Sequence, residues 1–314
     1  MKTDFYPVNL PTCETQEGSE VTQTTTFDQL VSIRNPTNNS PLFCIHPSGG
    51  DIGIYRKLAT KLDRSRSVWG VQSRLQCGAS TEMSSLEEMA NEYSRIVARQ
   101  NPKGSIRLLG FSLGGFLATL IAKNLHQSGR HISFLGLIDS NPSWTSAEEA
   151  SRRELSVRLF QVFTKFQNIG LLLKKPVETV RAEVETLIDE WFQTKEISAE
   201  EVMAKIDALG YIPERQADGK FLLKFAETFL IHVRLLNDFE PPKIDCPLHL
   251  WWPSETEKEN KIGTEIWASR ASAGVTESVI TGSHYSIMRG APVRALAAEV
   301  ESAIANAEED VALS

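Results

Sequence analysis

The stretch "LLGFSLGGFLATL", residues 108–120, decides how this chain is read. An apolar run stops at Gly110, a serine stands at position 112, two glycines follow at 114 and 115, and an apolar run resumes. The residues before it, "SIRLLG" (105–110), have the pattern of a buried strand. Those after it, "LGGFLATLIAKNLHQSG" (113–129), predict a helix ending near Gly129. A G-x-S-x-G turn between strand and helix lifts a serine hydroxyl above the edge of a sheet. The glycines are needed because side chains two positions either side of the serine would meet the crossing backbone. The helix then points its N-terminus at the hydroxyl. Ser112 is therefore a candidate nucleophile and not simply a turn residue.

Working outward, strands and helices alternate. "DQLVSIR" (28–34), "PLFCIH" (41–46), "SVWGVQ" (67–72) and "ISFLGLID" (132–139) read as strands. "IYRKLATKL" (54–62) puts Ile54, Leu58 and Leu62 on one helical face. "SSLEEMANEYSRIVARQNP" (84–102) opens with Ser84 three residues before Glu87, a capping-box spacing, and has Pro102 beyond its end. Such alternation predicts an α/β fold, a mostly parallel sheet flanked by helices. From 147 to 236 the pattern is nearly all helix. Strands return with "CPLHLWW" (246–252) and "TESVIT" (276–281), and a last helix starts near 291. The expected organisation is a flexible N-terminal linker over 1–27 and a core over 28–140 and 241–306. A helical lid is inserted over 141–240, and a C-terminal tail covers 307–314.

Composition narrows the function classes. The chain has 314 residues, 41% hydrophobic and 23% charged, a soluble globular balance. A net charge of −7 and the lack of a basic run argue against a nucleic-acid partner. No window approaches the roughly 18 apolar residues of a spanning helix, so no membrane role is expected. The start, "MKTDFYPVNLPTCETQEGSE", has no apolar signal core, and a cytoplasmic location is expected. The four cysteines, at 13, 44, 77 and 246, are too far apart for a zinc ribbon or redox pair. Scattered histidines predict no metal site, and the G-x-G-x-x-G dinucleotide fingerprint is missing.

A serine needs a base, and the base needs an orienting acid. In a sheet of this kind the order is serine, acid, histidine. His46 precedes the serine, His126 and His131 flank the end of its helix, His232 falls in the all-helical block, and His249 lies in a strand. His284, in the loop "TGSHYSIM" after the last strand, is the candidate base. Two acids compete. Asp139 ends an apolar strand, and a parallel sheet carries it to the edge where Ser112 sits. Glu255, in "PSETE", follows the next strand and is the alternative acid, in a charged loop. Asp139 is preferred. An oxyanion hole would take the backbone N–H of Leu113 and that of Ser48, in the glycine loop "HPSGG" (46–50). Trp144, just after the "DSNP" turn, is a candidate for a substrate gate.

Together "PLFCIHPSGGDIGIYRKLATKL", "VWGVQSR", "GFSLGG", "GLIDSNP" and "GSHYSIM" resemble the type I thioesterase domains that end nonribosomal peptide and polyketide assembly lines, over roughly residues 28–306. The resemblance implies an α/β-hydrolase fold with a helical lid, and favours Asp139 as the acid. It also implies the chemistry: an acyl or peptidyl carrier protein presents the chain as a phosphopantetheine thioester, Ser112 takes up the acyl group, and hydrolysis or cyclisation releases it. No cofactor beyond that substrate arm is implied. The alternatives are an esterase or lipase on small esters, an editing (type II) thioesterase, and a catalytically silent binding protein on the same fold.

Overall fold

The computed structural model describes residues 29–34, 41–79, 81–145, 186, 217–236, 239–284 and 286–313. Seven strands form one sheet: β1 (Leu30–Arg34), β2 (Leu42–Ile45), β3 (Val68–Val71), β4 (Ile106–Phe111), β5 (Ile132–Ile138), β6 (Leu248–Pro253) and β7 (Val275–Ile280). Their order is β1-β3-β2-β4-β5-β6-β7, and only β1 runs antiparallel, against β3. β2, β4 and β5 are buried at every position. That is why they read as unbroken apolar runs and not as alternating ones.

Alternation survives in which face each side chain serves. Phe43, Ile45, Leu108, Leu250 and Trp252 pack with α2 (Leu86–Gln100) and α3 (Leu113–Gln127). Leu42, Cys44, Leu109, Phe111 and Trp251 pack with α1 (Tyr55–Ala59) and the C-terminal helix. The period of two along a strand thus builds two cores, one on each face.

The chain winds from β2 through α1 to β3 in one direction, and from β4 through α3 to β5 in the other. The crossover direction reverses between neighbouring β2 and β4. Open parallel sheets bind their ligands at such a point, beyond the carboxyl ends of the strands. The loop 46–50 and Ser112 both lie there.

Two expectations shift. The cap of α2 is Ser85, not Ser84: Ser85 Oγ accepts the N–H of Glu88, 3.2 Å away. The Glu88 carboxylate reaches back to the Ser84 N–H at 3.0 Å. Glu88 lies three residues after the observed cap, but its carboxylate bonds the residue before that cap, so half of the box forms on Ser85 and the return bond goes to Ser84. The last helix spans Pro292–Leu313, so the expected tail at 307–314 is helical as far as Leu313. Its "AIANAEEDVAL" run is rich in strong helix formers. Helices Ala217–Leu236 (α4) and Glu257–Ala268 (α5) precede it, making the last helix α6. Residues 1–27, the expected linker, and most of 141–240, the expected lid, lie outside the described residues. Trp144 sits in a short 3-10 turn, Pro142–Thr145.

Candidate active site

Ser112 is held at φ 56°, ψ −125°, between the end of β4 and the first turn of α3, and is buried. No side chain fits beside it on the flanking glycines. A Cβ on Gly110 would lie 2.1 Å from the carbonyl oxygen of Gly114, and one on Gly114 2.2 Å from that of Ile45. Backbone cannot yield as a flexible side chain would, so both positions require glycine. The turn is braced on three sides. Ser112 N–H donates to Ile138 O at 2.9 Å, and Ser140 Oγ donates to Ser112 O at 2.8 Å. The Tyr55 hydroxyl donates to Ile45 O at 2.6 Å and accepts the Phe111 N–H at 2.7 Å, tying the ends of β2 and β4 together.

Asp139 follows β5 at φ 41° and is fully buried. Its N–H donates to Trp251 O at 2.9 Å, and its Oδ2 lies 2.6 Å from His284 Nδ1. A carboxylate only accepts, so Nδ1 carries the proton and Nε2 is the basic nitrogen. The imidazole of His284 stacks on Phe111, with ring centres 4.7 Å apart. Phe111 is the residue before Ser112, so this contact holds the ring beside the elbow. Glu255, the alternative acid, is exposed in the turn Ser254–Thr256. Its backbone N–H donates to Gly282 O at 3.1 Å, which braces the histidine loop rather than the histidine.

Of the oxyanion candidates, Leu113 is the first residue of α3, where a backbone N–H has no partner within the helix. Ser48 is buried in the loop after β2, with its carbonyl held by His232 Nδ1 at 2.8 Å. That histidine belongs to a buried polar cluster that sequence patterns do not reveal. His232 Nε2 lies 2.9 Å from Glu82 Oε2. Ser73 Oγ donates to the same carboxylate oxygen, and Met83 N–H donates to Oε1 at 3.1 Å. Burial pushes the Glu82 carboxyl up, but the bonds from His232 and Ser73 outweigh it and leave it below its ordinary value. His46 stacks on His232 at 5.0 Å. Its Nδ1 bonds to Pro47 O and its Nε2 to the Tyr93 hydroxyl, each at 2.8 Å. Burial and the neighbouring His232 lower the pKa of His46 to about 3, so it is neutral. Among the described residues no group of three or more His, Cys, Asp or Glu side chains could hold a metal. None of the described helices is long and apolar enough to cross a membrane.

Residues 40–304 match the Thioesterase domain family. The chain belongs to that family. Its relatives include malpinin synthetase of Mortierella alpina, 30% identical over 168 residues, 51% of this chain and 2% of that protein. Enterobactin synthase component F of Escherichia coli K12 is 35% identical over 119 residues, 38% of this chain and 9% of that protein. This thioesterase thus spans a small fraction of those relatives' length. Among solved structures, the Vlm2 thioesterase domain bound with a dodecadepsipeptide superposes with a TM-score of 0.62 at 20% identity. The match covers 87% of this chain and 97% of that one. At that identity the likeness establishes the fold: an α/β-hydrolase type of parallel sheet with flanking helices.

Proposed function

We propose that this thioesterase releases an acyl, peptidyl or polyketide chain from the phosphopantetheine thioester of a carrier protein, through an ester on Ser112. The observation that carries the reading is the Asp139–His284 hydrogen bond at the sheet edge, where the strained Ser112 turn stands. Family membership and relatives named as peptide-type synthetases support the class of substrate.

The proposed steps are these. His284 Nε2 takes the Ser112 proton as Oγ attacks the thioester carbonyl. The tetrahedral oxyanion is held by the N–H groups of Leu113 and Ser48. Asp139 fixes the imidazole tautomer and stabilises the imidazolium that forms. The C–S bond breaks and the thiol leaves with that proton. Water, or a nucleophile within the acyl chain, then gives a proton to His284 and attacks the Ser112 ester, which frees the product and restores the serine.

Peptide mass spectrometry after mixing with an acyl thioester tests this. An acyl mass is expected on the peptide carrying Ser112 and not on Ser112→Ala, with turnover lost in that variant. Turnover that survives Ser112→Ala overturns the mechanism. A simple ester processed better than a carrier-bound thioester of the same acyl group would make this a general esterase.

A further inference from the structure

The buried cluster beneath the 46–50 loop has no part in the Ser112–His284–Asp139 chemistry, yet it grips the loop that carries Ser48. Ser48 O faces His232 Nδ1, and a carbonyl only accepts, so Nδ1 donates. The other ring nitrogen faces Glu82 Oε2, which also takes the Ser73 hydroxyl, while Oε1 takes the Met83 N–H. Ser73 Oγ itself accepts the Leu75 N–H, so its proton is free to go to Glu82. Glu82 thus meets three partners, His232, Ser73 and the Met83 N–H, and His232 bridges the Glu82 carboxyl and the Ser48 carbonyl. The His232 and Glu82 side chains are 0% and 2% exposed. His46 closes the stack as a neutral ring. A second grip comes from Gln76, whose amide donates to Gly49 O at 3.0 Å.

A peptide unit is planar, so holding the Ser48 carbonyl fixes the plane it shares with the Gly49 N–H. The Ser48 N–H lies in the preceding plane, whose Pro47 carbonyl is bonded by the Gly50 N–H and by His46 Nδ1, each at 2.8 Å, and holding both planes sets the rotations of Ser48 between them. His232 lies on α4, far along the chain from Ser48, and nothing in the loop's own sequence would supply this restraint. We propose that His232 is a positioning residue for the oxyanion hole: braced by Glu82, it pins the Ser48 carbonyl, fixes the rotation of Ser48 against the held Pro47 carbonyl, and so keeps the Ser48 N–H set toward the reacting oxygen. This rests on the reading of Ser48 as an oxyanion donor in a Ser112 thioesterase.

Two variants separate positioning from mere stability. In His232→Asn the side-chain amide nitrogen falls near the place of Nδ1 and can still donate to Ser48 O, while the reach to Glu82 is lost. In His232→Leu both bonds are lost. Each leaves the buried Glu82 carboxylate short of the same donor, so both should lower the thermal midpoint, and the Ser48 contact is the bond in which they differ. The probes are an acyl N-acetylcysteamine thioester for turnover and an alkyl fluorophosphonate for the rate of Ser112 labelling. For His232→Leu, kcat should fall about 10- to 100-fold with KM within about 2-fold, since small misplacement of an oxyanion donor costs on that order. His232→Asn should recover to within about 5-fold of the parent, and labelling rates should follow the same ranking. Equal kcat in the two variants, or no loss in either, with the parent active, overturns the positioning role alone. A parent inert to both probes overturns the thioesterase reading and this one with it.

Discussion

Ser112 and Asp139 are the two non-glycine residues held at positive φ among the described residues, at 56° and 41°, and they stand side by side. Phe111 and Ile138, the residues just before them, are register partners on the parallel strands β4 and β5. Each strand therefore ends, at the same level, in a residue bent against its preference. Such backbone costs on the order of 1–3 kcal/mol and persists only where its surroundings enforce it. Glycine would relieve the strain at position 112, and alanine would not. Ser112→Gly should melt about 2–4 °C above Ser112→Ala, on a difference of about 1 kcal/mol. Scanning calorimetry on the two variants decides it, and coincident melting points would remove strain from the account of the elbow.

The acid is separated by a paired substitution. Asp139→Asn keeps size and backbone preference but replaces an acceptor-only group by one that can donate, which destroys the tautomer control of His284. A loss of kcat on the order of 10⁴-fold is expected, as for other triads that lose this acid. Glu255→Gln should leave kcat within about 2-fold, because Glu255 acts on the histidine loop through its backbone N–H, which glutamine retains. Steady-state rates on one thioester suffice. The reverse ranking would make Glu255 the working acid.

Much of this was legible in the sequence because chemistry and geometry coincide locally. Gly110 and Gly114 flank the serine for a steric reason that operates within a few residues, and the strand and helix around it carry their own periods. The parallel sheet then brings Asp139 beside Ser112 without long-range information beyond strand order. The His46–His232–Glu82 cluster was not legible. Its members are separated by as many as 186 positions, and a histidine in the middle of an amphipathic helix carries no mark of what it will face. The cap of α2 was displaced by one residue because Ser84 and Ser85 each have a glutamate three residues on, and only the backbone chooses between them.

The same cluster predicts an acid sensitivity. His46 has a folded pKa of about 3 against an ordinary 6.5, with burial as the main cause. Between those values the unfolded chain binds the proton and the folded one refuses it, so stability falls as pH drops through the window. From pH 6.5 to 5 the expected loss from His46 is about 2 kcal/mol. His249, also lowered by burial, adds in the same direction, while the Glu82 contribution is lost only nearer its own lower range. His46→Asn should flatten the dependence in that window, leaving the part due to His249. Urea midpoints at pH 5, 6 and 7.5 measure it. An unchanged slope would mean that His46 takes up its proton in the folded state.

The far end of α6 gives the last prediction. Glu308 lies in the segment expected to be a tail, yet its carboxylate reaches Arg107 at 3.0 Å and Arg66 at 3.3 Å. Both guanidinium groups are nearly buried, with side chains 8% and 9% exposed. Arg66 keeps Glu301 if Glu308 is removed, at 3.0 Å. Arg107 has no other ion-pair partner among the described residues, and its Nε is already buried without a hydrogen bond. Removing one partner of a fully buried pair costs about 3–5 kcal/mol, and of an exposed pair at most about 1. Glu308 is 41% exposed, which places its loss between those limits, at about 2 kcal/mol. Deleting residues 307–314 should therefore lower the urea midpoint, and Glu308→Gln alone should reproduce at least half of the shift. Arg107→Met, which removes the buried charge, should make the chain largely indifferent to the deletion. If the deletion costs nothing in the parent, the segment is energetically a tail, and the ion pair contributes nothing.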